Sequence, residues 1–94
     1  MATYVMLGRY TTEALKGISA ERTKKGNELA GKFGGKIKDI YALMGKNDLL
    51  MITDFSGAGA AIQFSVALSR MTGIAFATSE ALPAAQFDDL MNKV

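Results

Sequence analysis

Arg9, Tyr10, Tyr41 and Asp48 are the residues whose types and placement in this sequence could carry chemistry. Arg9 and Tyr10 close an apolar run, where a guanidinium can hold a carboxylate or an enolate through paired hydrogen bonds. Asp48 follows a glycine turn, which offers its carboxylate as a base or as a polar anchor at a pocket mouth. Tyr41, like Tyr4, can donate a hydrogen bond to a ligand oxygen or stack on a ring. Each has a structural alternative. An Asp beside a Gly turn bonds backbone N–H groups within the hairpin. Arg9 can pair across the sheet with Asp39, Asp54 or Glu80, and tyrosines at alternating strand positions serve as core or interface aromatics.

Absences narrow the chemistry further. The chain has no His and no Cys, so a Ser-His-Asp triad, a Cys nucleophile and the usual ligands of zinc or haem are excluded. We expect no metal and no resident cofactor. Phe55-Ser56-Gly57-Ala58-Gly59 suggests a phosphate loop. Ile62 stands at the third glycine position, however, and Asp54 would repel phosphate.

The chain has 94 residues, expected to form a single domain over 1–94. Such a body buries only about 60–65% of the surface its unfolded chain exposes. A hydrophobic share of 49% in so small a body points to an association surface. No apolar run approaches the roughly 18 residues of a membrane span. No secretory signal is visible, and the absence of Cys fits a cytoplasmic location. The net charge of +2 is uneven: residues 1–46 carry nine Lys or Arg against four acids, and residues 47–94 carry two against five. Lys24, Lys25, Lys32, Lys36 and Lys38 read as a solvated helix face and a defended sheet edge. A nucleic-acid surface would be Arg-rich and interleaved with aromatics, so neither nucleic acid nor membrane is an expected partner.

These residues need elements to position them. Residues 3–10 form a β-branched and aromatic strand pattern, bounded by Thr11 and Thr12, either of which can cap a helix. Ser19 reads as a second cap, with the main helix starting at Ala20. Leu15, Ile18, Leu29 and Phe33 lie on one helical stripe whose middle Arg22 and Gly26 interrupt, so a short first turn and a kink precede the main helix. Gly34-Gly35 ends it. Strands at 36–44 and 48–55 flank a Gly45–Asp48 turn. Ser56 is the expected cap of a helix at 58–71, stopped by Thr72-Gly73, and a strand at 74–82 ends at Pro83. An amphipathic segment, Ala84–Met91, follows.

The order is β-α-β-β-α-β, the ferredoxin-like α+β sandwich: a four-stranded antiparallel sheet with two helices on one face. That topology centres the first and third strands. They carry Val5, Met6, Leu7 and Leu49–Ile52, whereas Lys36, Lys38, Asp39 and Glu80 fall on the edges. Alternation points Val5 and Leu7 one way and Tyr4, Met6 and Tyr10 the other. It likewise opposes Leu50 and Ile52 to Leu49, Met51 and Phe55. Two helices cover only one set. Each side chain left wet forgoes about 1.5–3 kcal/mol, so two copies are expected to associate sheet to sheet.

Leu7-Gly8-Arg9-Tyr10-Thr11, Gly34-Gly35-Lys36 and Met44-Gly45-Lys46-Asn47-Asp48, in this order and spacing, resemble the GYD domain family of the dimeric α+β barrel superfamily. Gly45 and Asp48 match the namesake motif, and Asn47 stands where a Tyr is usual. The resemblance implies a homodimer or an assembly of dimers, with a pocket between sheet and helices. It implies no fixed reaction. The leading expectation is a homodimeric binding or sensing module for an apolar or aromatic small molecule. Strands rich in aromatics and the six Met residues suit such a pocket. Superfamily relatives that oxidise, isomerise or cyclise electron-rich aromatic or polyketide-like compounds suggest an alternative. This is a cofactor-free oxygenase, isomerase or cyclase in which Arg9 stabilises an enolate and Asp48 or Tyr41 moves the proton. A structural assembly subunit is the third reading.

Overall fold

A computed structural model describes all residues, 1–94. The elements are β1 (Ala2–Arg9), α1 (Thr12–Lys16), α2 (Ala20–Lys32), β2 (Lys36–Ala42), β3 (Leu49–Phe55), α3 (Ala58–Thr72), β4 (Ala75–Ala81) and α4 (Ala84–Met91). The sheet order is β2-β3-β1-β4, with every pairing antiparallel, so the two apolar strands are central and the charged ones are edges. This is the ferredoxin-like α+β arrangement expected from the sequence.

Local chemistry explains the helix starts. The Thr11 hydroxyl oxygen accepts the Ala14 N–H at 3.0 Å, and Ser19 Oγ accepts the Arg22 N–H at 3.0 Å. Ser56 does not cap α3, contrary to expectation. The helix starts at Ala58 as expected, but the cap position is taken by Gly57, with no side-chain bond there. Gly34, at φ +76°, and Gly35 carry the chain from α2 into β2. A Cβ on Gly35 would lie 2.3 Å from the Asp54 carbonyl oxygen, so the close backbone approach admits nothing larger.

Register decides which face is covered. Tyr4, Met6, Met51 and Phe55 face α2 and α3 and form the core with Ala30, Ala61, Phe64 and Leu68. Phe55 and Phe64 are fully buried, with ring centroids 5.1 Å apart. Thr53, also buried, donates its hydroxyl to the Tyr4 carbonyl at 3.0 Å, so its polar atom is satisfied. Val5, Leu7, Leu50 and Ile52 form the opposite face with Ala75, Ala77, Ser79 and Ala81 of β4, and no helix covers them. A β-bulge between Ile37 and Asp39 turns Lys38 toward Asp54, at 3.9 Å.

The helix that follows the last strand, α4, buries no residue. Phe87, Leu90 and Met91 remain exposed along it. The Cα radius of gyration is 14.2 Å, against about 12.4 Å for a compact chain of this length. The protein therefore has several apolar surfaces without partners: the outer sheet face, the α4 stripe, and Ile62, Val66 and Met71 on the exposed side of α3. No helix is long and apolar enough to cross a membrane.

Candidate functional site

The sheet end at which β1 leads into α1 is imperfectly filled. A cavity of about 110 Å³ lies between the N-terminal half of α2 and the sheet, open to solvent at its mouth. Its floor is Ile37, Ile40, Leu49, Met51, Ile74 and Phe76, and Leu68 of α3 forms part of the wall. Gly26 keeps it open from above; a Cβ there would reach to 3.6 Å from Leu68 Cδ1. Tyr10, Ser19, Arg22, Thr23 and Thr72 supply the polar lining.

Arg22 is held at both ends. Its backbone N–H is the one capped by Ser19, and its guanidinium donates to the Ala14 carbonyl of α1. Cζ lies 5.7 Å from the centroid of the Tyr10 ring, within cation–π range. Tyr10 is fixed in turn by Asp48, whose Oδ2 accepts the Tyr10 N–H at 2.8 Å. The Asp48 N–H donates to the Gly8 carbonyl at 2.8 Å. One strand end thus links Asp48, Tyr10 and Arg22.

Of the four residues singled out in the sequence, Tyr10 lines the cavity, and Asp48 braces Tyr10 from outside it. The Asp48 carbonyl accepts the Leu43 N–H within the hairpin at 2.9 Å, but its carboxylate bonds no hairpin amide; it reaches across to the end of β1 because β3 pairs with β1 up to Leu49 and Gly8. Arg9 and Tyr41 share the outer face of the sheet, both exposed, Tyr41 by 54%. Arg9 makes no ion pair. Asp54 sits at the far end of the strand pairing, opposite Thr3, and Glu80 belongs to the helix-covered face. Glu80 instead accepts from the Tyr4 hydroxyl at 3.3 Å. Burial, then the charge and hydrogen bond of Glu80, raise the Tyr4 phenol above its usual pKa.

Arg22, Ser19 and Thr23 are the site residues that motif reading missed. The available signal was the break in the α2 apolar stripe: a cation and a glycine where the period calls for core residues. The arrangement is a half-enclosed apolar cavity with one cation and four hydroxyl groups in its lining. No carboxylate lines it, and no three His, Cys, Asp or Glu side chains gather as a metal-binding group.

The model of the GYD domain matches residues 4–91. The chain belongs to the GYD domain family. Among solved structures, this GYD protein is similar to the leucine response regulatory protein of Mycobacterium tuberculosis, at TM-score 0.58 and 7% identity. The match covers 87% of this chain and 51% of that one. An AsnC family transcriptional regulator from Agrobacterium tumefaciens matches at TM-score 0.59 and 18% identity, covering 87% of this chain and 50% of the regulator. The GYD chain spans about half the length of these regulators, and at such identities the likeness concerns the fold. No curated protein sequence matches it.

Proposed function

We propose that this GYD protein is a small homodimeric binding or sensing module whose cavity takes an apolar or aromatic small molecule in the cytoplasm. The cavity carries the reading: a packed ferredoxin-like domain has no need of about 110 Å³ of unfilled space lined mainly by aliphatic and aromatic side chains. The fold's similarity to half of two transcriptional regulators supports a sensing role. Self-association is supported by the uncovered Val5, Leu7, Leu50 and Ile52 face, whose burial against a second copy recovers the hydrophobic stabilisation that the monomer leaves unused. In that dimer Arg9 and Tyr41 border the pairing face and are our candidates for contacts between copies, or for a ligand held there.

Native mass spectrometry of the protein purified gently from its own host tests this directly. A dimer carrying a reproducible extra mass is the expected result. A clean dimer or ring with nothing bound would favour an assembly subunit, and a monomer would overturn the argument from the two sheet faces.

A further inference from the structure

We propose that the cavity selects an apolar carboxylate, with one ring or a short branched chain on its floor and the carboxylate against Arg22. This inference rests on the binding role proposed above. Arg22 is the only charged side chain lining the cavity. A guanidinium has five N–H donors in a planar fork, and the structure engages one nitrogen, on the Ala14 carbonyl. The single ion pair in the protein, Lys38 with Asp54, leaves Arg22 without a counter-charge. A partly buried arginine fixed over the Tyr10 ring is therefore placed for a charge-assisted bond to an incoming anion. Ser19 adds a donor: its oxygen accepts the Arg22 N–H, and its own O–H has no partner in the chain.

The same lining excludes other head groups. No acidic residue lines the cavity, so an ammonium entering it would lose water without gaining a counter-charge and would meet the like charge of Arg22. The chemistry thus favours an acid lacking the amine over an amino acid. Size sets the rest. A dry cavity of about 150 Å³ accommodates benzene, so about 110 Å³ with an open mouth admits a single ring or a chain of similar bulk, its head group at the rim.

Calorimetric titration of the full chain with phenylacetate, 2-phenylacetamide and 2-phenylethylamine tests this. Phenylacetate is expected to bind roughly tenfold tighter than the amide, and the amine most weakly. Arg22→Gln should bring the acid to the level of the amide and leave the amide unchanged; Arg22→Lys should recover part of the preference. The wild-type series decides the matter even if Arg22→Gln fails to fold. Equal binding of acid and amide, or tightest binding of the amine, overturns the carboxylate inference and leaves the cavity as an apolar site. Loss of amide binding together with acid binding in a folded Arg22→Gln protein also overturns it, since Arg22 would then only shape the wall. No binding of any of the three overturns both this inference and the apolar-ligand reading.

Discussion

Asp48 and Tyr10 are joined by a hydrogen bond of 2.8 Å from the Tyr10 backbone N–H to the Asp48 carboxylate, across 38 residues of sequence. It extends the β1–β3 ladder by one bond beyond the strand and sets where the Tyr10 ring meets Arg22. Removing the acceptor strands a partly buried N–H. Asp48→Ala is expected to cost about 1–3 kcal/mol, and Asp48→Asn, which keeps a neutral acceptor, about half of that. Urea denaturation of the two variants measures both. Equal losses would show that the aspartate charge itself, rather than an acceptor, is what matters.

Gly35 is fixed by contact with β3. A methyl group there would press on the Asp54 carbonyl and on Phe55, the fully buried ring at the centre of the core. Gly35→Ala is expected to destabilise the fold by about 3 kcal/mol, the upper end of overpacking costs. A chemical-denaturation midpoint indistinguishable from wild type would disprove the close approach.

Gly26 and Gly31 both lie within α2, where glycine costs roughly 0.5–1 kcal/mol relative to alanine. A Cβ at Gly26 makes ordinary contact with Leu68, and one at Gly31 meets nothing. Both alanine variants should therefore raise the thermal midpoint by a few degrees. Gly26→Ala alone should also weaken binding of phenylacetate, because only Gly26 lines the cavity. Matching affinities in the two variants would detach Gly26 from the site.

Leu50 and Ile52 occupy the uncovered sheet face and make no part of the core. Leu50→Lys combined with Ile52→Lys is expected to turn a dimer into a monomer, with the far-ultraviolet circular dichroism unchanged. Sedimentation velocity reads the outcome. A folded double variant that remains dimeric would place the interface elsewhere, on the exposed apolar residues of α4 (Phe87, Leu90 and Met91) or of α3 (Ile62, Val66 and Met71).

Tyr4 gives the protein an alkaline limit. Its phenol is raised above 10.0, by burial first and then by Glu80. The folded state therefore holds the proton more tightly than the unfolded state. This stabilisation is complete below the unfolded phenol's pKa and is lost as pH rises through the folded one. Stability of the wild type should fall across that alkaline range, and Tyr4→Phe should fall less steeply. Parallel stability–pH curves for the two proteins would remove Tyr4 as the cause.

Much of the fold was legible in the chain. The β-branched and aromatic runs, the caps Thr11 and Ser19, the glycines after α2 and the charged edge strands agree with one another, and such agreement specifies a topology. Ser56 misled because a cap works only at the residue next to the first helical turn, and a shift of one position takes its oxygen out of reach. The site was less legible. Tyr10 and Asp48 were found by type and position, but Arg22 stood in the sequence only as a flaw in an apolar stripe.

The sequence by itself determined the order of elements, the central and edge strands, and the surplus of apolar strand residues over what two helices can cover. These properties follow from period, propensity and turn chemistry, which act between neighbours in the chain. Only the tertiary structure decided which alternation set faces the helices, that Arg9 and Tyr41 lie on the outer face, and that Asp48 braces Tyr10 beneath Arg22. Those outcomes depend on register and on packing between residues far apart in sequence. A slip of one residue in strand register would have exchanged the two faces.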